Sequence, residues 1–167
     1  MAPAKKQKPD PKKSVVGQKR NIAENRKSRF KYEIFEQIEC GVVLVGSEVK
    51  SLRENKISLD EAYVRVKGDE LWLVGADIAE YKQATIWNHD RKRSRKLLVQ
   101  RGQLRKLAIK AKEKGFTLVP LQIYFNERGI VKVMVGVGRG KKLHDKRQTL
   151  KTNEARRSID RAMKNKR

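Results

Sequence analysis

From Phe30 onward, polar and apolar residues alternate: Tyr32, Ile34, Glu36 and Ile38 fall on one side, Phe35, Gln37 and Glu39 on the other. This is the two-residue period of a strand, and Gly41 ends it. Residues 42–45 (Val-Val-Leu-Val) read as a short apolar strand. A helix start follows, with Ser47 as N-cap and Glu48 in the first turn, and the helix runs to Leu52 or Arg53. Ala62, Val64 and Val66 alternate with Tyr63, Arg65 and Lys67, and Gly68-Asp69 separates them from the apolar residues 71–74, which predicts a hairpin. Residues 75–96, polar and ending in Arg91-Lys-Arg-Ser-Arg-Lys96, read as loop. Leu104, Leu107, Ala108 and Ala111 recur at spacings of three and four, the mark of a helix ending at Lys112, Lys114 and Gly115. The last hairpin is the clearest element: Val119, Leu121, Ile123 and Phe125 face Val131, Val133, Val135 and Val137 across the turn Asn126-Glu-Arg-Gly129. Its outward positions include Pro120, Gln122, Tyr124, Lys132 and Met134, and Pro120 points to an edge or a bulge.

About six short strands with two or three short helices, in roughly 110 residues, predict a mainly β fold: a small antiparallel barrel, closed or partly open, of the OB type. A two-layer α+β sandwich is the alternative. Residues 1–20 mix Pro, Lys and Gln without apolar periodicity, so the division expected is a disordered basic arm (1–24), a barrel (25–138) and a basic tail (139–167). In the tail, Ala155, Ile159, Ala162 and Met163 lie at helical spacing, supported by the pairs Arg156–Asp160 and Asp160–Lys164. A lone helix of that length is marginal in water, so the tail is expected to order only in a polyanionic groove.

Charge sharpens this picture. The chain carries 42 Lys and Arg against 19 Asp and Glu, a net charge of +23, which calls for an acidic partner. Residues 1–29 hold 10 basic and 2 acidic groups (+8), residues 139–167 hold 12 and 3 (+9), and the longer middle holds 20 and 14 (+6). Phosphate contact needs only Lys and Arg at a surface, so two basic arms and the loop at residues 91–96 point to nucleic acid, RNA and DNA remaining undistinguished. With no apolar stretch of signal or membrane-span length, the expected location is the cytoplasm, with no membrane partner.

Catalytic and cofactor chemistry finds little support. Gly136-x-Gly138-x-Gly140-Lys141 fails the phosphate-loop spacing, since position 135 is Val and position 142 is Lys, and reads as a strand end passing into a flexible joint. Cys40, His89 and His144 are too scattered for a structural zinc, and Cys40 reads as a packed core residue. The pairs Asp60-Glu61 and Asp69-Glu70 sit at turns, and no nucleophile motif accompanies His144-Asp145. The expectation is a binding protein without enzymatic activity, metal or cofactor.

Five stretches resemble a known family: Asn25-Arg-Lys-Ser-Arg29, Gly41-Val-Val-Leu-Val-Gly-Ser-Glu-Val-Lys-Ser-Leu-Arg53, Arg95-Lys-Leu-Leu98, Leu118-Val-Pro-Leu121 and Gly140-Lys-Lys-Leu-His-Asp-Lys-Arg147. In order and spacing they are similar to the SmpB family, small protein B. The chain departs from that pattern at Arg91, where Pro is usual, and at Gln103, where an acidic residue is common beside an unusual Gly102. The resemblance implies an OB-like barrel that embraces the tRNA-like domain of transfer-messenger RNA and assists its aminoacylation and delivery, meeting elongation factor Tu only indirectly through the aminoacylated RNA. It also implies entry into stalled bacterial ribosomes, the reaction called trans-translation. By the same resemblance, RNA-binding positions map to Glu39, Leu98 and Lys132, to which the basic residues of the shared stretches, Arg29, Lys50, Arg53, Arg95 and Lys96, are added. The family's tail lies as a helix in the vacant messenger channel and decoding site, which maps to Gly140, Lys141, Lys142, His144, Asp145, Lys146, Arg147, Lys151, Arg156, Arg157 and Arg161. There His144 is expected to stack on an exposed base, while Asp145, Lys146 and Arg147 fix the turn into the tail. A permanent structural protein of the ribosome is the runner-up reading.

Overall fold

The computed structural model describes residues 19–84 and 88–142, together with Asp145, Glu154, Ala155, Ser158, Ile159, Arg161 and Met163. Alternation builds the long strand β2 (Tyr32–Val42), whose Ile38 and Cys40 turn inward while Glu39 stays outside. Cys40 lies opposite Val133, and burial lifts its thiol pKa to about 11, so it is an inert packing residue. Before β2 come β1 (Arg20–Glu24) and the short helix α1 (Arg26–Lys31), capped by the Asn25 side chain, which accepts from the Ser28 N–H at 2.9 Å. After it come α2 (Gly46–Arg53), β3 (Ile57–Ser58), β4 (Tyr63–Lys67), β5 (Glu70–Val74), β6 (Asp77–Ile78), β7 (Arg95–Leu98), α3 (Arg101–Lys112), β8 (Phe116–Phe125) and β9 (Val131–Gly140).

Six of these strands close a ring in the order β8-β4-β5-β7-β2-β9 and back to β8, with every pairing antiparallel. Closure between β4 and β8 rests on one residue pair, Val64 opposite Leu118, because β1 occupies the same edge of β8 at residues 122–125. β3 and β6 form a separate two-stranded sheet. Leu52 from α2 and Leu107 from α3 pack into the apolar interior of the ring beside Leu71, Leu73, Val133 and Val135. Among the described residues, no helix is long and apolar enough to cross a membrane.

The mainly β architecture, the hairpin β4–β5 with Gly68 at its turn, and α3 agree with the alternation and spacing in the sequence. Several details differ. Residues 20–24, expected within the disordered arm, form β1, whose Ile22 and Ala23 pack partly against the core. Residues 43–45 are not a strand: Val43 donates its N–H to Lys96 O at 2.9 Å and the chain then turns into α2, leaving Val43 and Val45 exposed. Ser47 lies inside α2 rather than at its cap. The N-terminus is closed by Glu48, whose Oε2 accepts from the Val45 N–H at 2.9 Å. The loop expected at 75–96 contains β6 and the start of β7.

The final hairpin pairs as expected near its turn, with Phe125 opposite Val131 and Ile123 opposite Val133. A bulge at Leu121 then reverses the phase, because one extra residue sends every following side chain to the other face. Leu118 therefore joins the core opposite Val137, and Pro120, read as marking an edge or a bulge, does adjoin this bulge, but it is buried opposite Val135 rather than outward, in a strand paired along both edges. Gly136 and Gly138 are not a flexible joint, since both are buried within β9 under side chains of β2 and β8. A Cβ on Gly136 would lie 2.8 Å from Leu121 Cδ1, and one on Gly138 would lie 3.1 Å from the Glu33 carbonyl oxygen. Gly138→Ala is expected to cost about 1–3 kcal/mol through overpacking, read as a lower urea midpoint with an unchanged m-value.

Candidate nucleic-acid interface

On the outer face of the ring, alternation and register bring four strands' side chains together. Gly41 of β2 sits between Leu98 of β7 and Lys132 of β9, and Lys132 is in turn opposite Tyr124 of β8. Glu39 follows two residues back on the same face of β2 and reaches toward that row. Its Oε1 lies 3.2 Å from Lys132 Nζ, and its Oε2 accepts the Tyr124 hydroxyl proton. Lys19 Nζ stands 5.9 Å above the Tyr124 ring. Leu98, 52% exposed, covers the space that Gly41 leaves by having no side chain.

Two carboxylate partners decide the protonation of this cluster. The Tyr124 hydrogen bond, helped by Lys132, outweighs the opposing effect of burial and holds the Glu39 pKa below its ordinary value. Tyr124 itself is pushed up to about 12, first by burial and then by its bond to Glu39. At neutral pH the surface therefore presents the Glu39 carboxylate beside the Lys132 ammonium group, with the buried Tyr124 phenol neutral beneath them. The carboxylate can accept from base N–H or ribose O–H groups, the ammonium can meet phosphate, and Leu98 offers an apolar rest for a sugar or base. A half-exposed ion pair such as Lys132–Glu39 is worth about 0–1 kcal/mol, so an incoming RNA can reorganise it at little cost. Because the folded Glu39 pKa is depressed, its contribution to stability is complete above pH 4.5 and is lost as pH falls through the depressed value. Tyr124→Phe is expected to move the Glu39 pKa back up toward 4.5, which carboxyl-selective NMR titration checks.

Arg95 does not belong to this surface. It is fully buried, as is Glu48, and its Nε donates to Glu48 Oε1 at 2.8 Å. Nη1 donates to Ala76 O and Arg93 O at 2.7 and 3.0 Å, and Nη2 to Arg91 O at 3.0 Å, so the guanidinium is occupied within the fold and has no path to a phosphate. Arg93 adds two bonds to the same carboxylate, from Nε to Oε1 at 2.7 Å and from Nη2 to Oε2 at 2.5 Å. Burial works to raise the Glu48 pKa, but the Arg93 hydrogen bonds, the Val45 N–H and the Arg95 charge together win, and the pKa falls. The basic run around Arg95 is likewise paired: Arg91 grips Asp77 through two bonds at 3.0 and 2.9 Å, Lys92 approaches Glu61 at 3.5 Å, and Lys96 pairs with Glu70. Of this run only Arg95 is internal; Arg91 and Lys92 remain exposed and Arg93 and Lys96 partly exposed, each beside a carboxylate. Lys96, partly exposed, stays two residues from Leu98 on β7. Arg29, Lys50 and Arg53 are exposed but make their contacts elsewhere: Arg29 with Glu24 at 3.1 Å, Lys50 over the Tyr81 ring at 5.3 Å, and Arg53 through its carbonyl with Arg20 at 2.9 Å.

The family model described as SmpB protein matches residues 22–165. The chain belongs to the SmpB family. It is 57% identical over 145 residues to the SsrA-binding protein of Rhodopirellula baltica, covering 87% of this chain and 82% of that one. It is 47% identical over 145 residues to the SsrA-binding protein of Mesorhizobium japonicum, covering 87% and 91%. A solved chain described as "tmRNA-SmpB: a journey to the center of the bacterial ribosome" is 48% identical and superimposes with a TM-score of 0.62, covering 72% of this chain and 85% of that chain.

The SmpB match runs on past the ring into the tail. Gly140 closes β9 opposite Tyr32, Lys141 donates its N–H to Lys31 O at 2.9 Å, and the Lys142 N–H reaches an Asp145 carboxylate oxygen at 3.3 Å. Asp145, Glu154, Ala155, Ser158, Ile159, Arg161 and Met163 have helical backbone and exposed side chains. His144, Lys146, Arg147, Lys151, Arg156 and Arg157 lie outside the described residues. Tyr124 was absent from the candidates named from sequence, although outward alternation in the last hairpin places it beside Lys132 and could have added it. The buried pair Glu48 and Arg95 left no local signal, since the two residues stand 47 positions apart.

Proposed function

We propose that this SmpB-family chain binds the tRNA-like domain of transfer-messenger RNA through the outer face of its ring and, with that RNA, rescues stalled ribosomes by trans-translation. The observation that carries the reading is the cluster on the outer face of the sheet in which the buried Tyr124 hydroxyl and the partly exposed Lys132 hold the Glu39 carboxylate at the surface, with exposed Leu98 beside it. The relatives are named for binding SsrA, and the structural neighbour's description joins tmRNA, SmpB and the bacterial ribosome. In this reading Glu39, Lys132 and Leu98 contact the RNA directly, with Lys96, Arg29, Lys50 and Arg53 as peripheral phosphate contacts. The tail from Gly140 occupies the empty messenger channel, where its charge of +9 over residues 139–167 meets ribosomal phosphate. His144 faces the decoding site, elongation factor Tu is met only through the aminoacylated RNA, and the protein works in the cytoplasm as a binding adaptor without covalent chemistry.

Sucrose-gradient sedimentation tests this reading. Ribosome association is expected to depend on transfer-messenger RNA, whereas stoichiometric association in its absence supports a permanent ribosomal component instead.

A further inference from the structure

Phe35 is a large apolar side chain that neither the core nor the Glu39 cluster uses. It is the extra residue of a bulge in β2, inserted between Ile34 opposite Gly138 and Glu36 opposite Val137, and 57% of it remains exposed. It is not loose. Phe116 braces it edge-on, with ring centroids 5.7 Å apart and planes at 67°. Across the strands Phe116 is opposite Arg139, whose Nε lies 3.4 Å from where a Cβ on Gly115 would stand, so the guanidinium runs along the same aromatic corner. Two acidic residues share this corner, Glu33 opposite Arg139 and Glu36, which is committed to Lys110, while Lys31 and Lys141 stand at its tail end.

This corner sits where the tail leaves the ring, since Glu33 is opposite Arg139 and Lys141 bonds back to Lys31. It is four residues along β2 from Glu39, roughly 13 Å at strand spacing. A braced, solvent-facing aromatic with a cation at its side, on a chain of net charge +23, matches a partner that is both polyanionic and flat-faced. An unpaired base of a single-stranded RNA segment has that chemistry; an apolar protein groove offers no reason for the chain's net positive charge or for Arg139 beside the ring.

We propose that Phe35, braced by Phe116 and flanked by Arg139, is a stacking platform for one unpaired nucleobase of RNA at the root of the tail. The proposal rests on the RNA-binding reading above and adds a contact outside the Glu39 cluster. The base belongs either to transfer-messenger RNA or to ribosomal RNA, and two arms separate these sources.

Full-length Phe35→Ala, Phe35→Leu, Phe35→Trp, Arg139→Ala and Glu39→Arg variants are titrated with the isolated tRNA-like domain, and then with ribosomes stalled on a truncated message in the presence of full transfer-messenger RNA. Phe35→Ala is expected to lose about tenfold in affinity in at least one arm, and Phe35→Trp to retain it, since stacking strength follows the aromatic face. Phe35→Leu is expected to fall with Phe35→Ala. The slope of log affinity against log salt stays unchanged in Phe35→Ala, because stacking releases no counterion, and becomes shallower by about 1 in Arg139→Ala. A loss already present with the isolated domain assigns the base to transfer-messenger RNA; a loss confined to the ribosome arm assigns it to ribosomal RNA. Full affinity of Phe35→Ala in both arms overturns the platform, and full affinity of Phe35→Leu overturns it in favour of an apolar protein contact. If Glu39→Arg weakens binding while Phe35→Ala does not, the platform alone falls; if the unaltered protein ignores both RNAs, the RNA-binding reading falls with it. Thermal melts of each variant separate these effects from loss of folding.

Discussion

Glu48→Ala is expected to lower the unfolding free energy by about 3–5 kcal/mol, the cost of leaving a buried charge without its partner. The stranded group is Arg95, fully buried, which cannot shed its proton at any physiological pH and cannot reach water from inside the ring. Arg93 also loses both of its bonds to that carboxylate, and the Val45 N–H at the start of α2 loses its cap. Glu48→Gln keeps the shape but removes the charge and turns one acceptor oxygen into an NH2 donor, which must face either the Arg93 and Arg95 Nε–H groups or the Val45 N–H and Arg93 Nη2, so it is expected to recover only part of the loss. A joint Glu48→Leu and Arg95→Met replacement, which removes both charges at once, is expected to cost far less than Glu48→Ala alone. Urea unfolding of the four proteins at pH 7 checks this, and a Glu48→Ala loss below about 1 kcal/mol contradicts the assigned network. The pH dependence has a definite sign. Since the folded Glu48 pKa is depressed, the carboxylate's contribution is complete above pH 4.5 and disappears on acidification through the depressed value. The wild-type stability curve is therefore expected to fall on the acid side more steeply than that of Glu48→Gln.

Removing everything after Gly140 is expected to abolish tagging of nascent chains on stalled ribosomes while leaving specific binding of the tRNA-like domain in place. The cut falls where β9 ends opposite Tyr32, so no ring strand is lost. What is removed, residues 141–167, holds 11 Lys and Arg against 3 Asp and Glu, a net charge of +8. Non-specific affinity for any RNA should fall and its salt dependence should flatten, so the comparison belongs at near-physiological salt, with an ordinary tRNA as reference. A truncated chain that still supports tagging, or one that no longer distinguishes the tRNA-like domain, contradicts the separation of roles between ring and tail.

Much of the fold was readable from sequence where one period ran without interruption. Ile38 and Cys40 inside against Glu39 outside, the β4–β5 hairpin about Gly68, and Leu107 on the inner face of α3 all follow from spacing alone. The misreadings occur where a local feature broke the period or hid it. The extra residue at Leu121 put Pro120 on the buried side, whereas the bulge at Phe35 left the alternation of β2 as the sequence reads it. β1 has only Ile22 and Ala23 to mark it and gains its strand character by pairing with β8, a partner about a hundred residues away. Arg95 illustrates the same non-locality in electrostatic form: in a run of five cations it reads as surface, and only the distant Glu48 makes its burial tolerable. For the site, Glu39, Lys132 and Tyr124 were placed outward by alternation, whereas the choice of Glu39, Leu98 and Lys132 as RNA contacts came from the family resemblance. The geometry adds the reason Glu39 is ionised and held, namely the Tyr124 hydroxyl and Lys132.

The most direct test is an equilibrium binding titration of the full chain and of Glu39→Arg, each with the tRNA-like domain and with an ordinary tRNA, at near-physiological salt. Clearly tighter binding of the tRNA-like domain by the unaltered chain is expected, and a loss of about tenfold or more in Glu39→Arg, where an acceptor is replaced by a charge facing Lys132. Equal affinity for the two RNAs, undisturbed by Glu39→Arg, contradicts the RNA-binding reading.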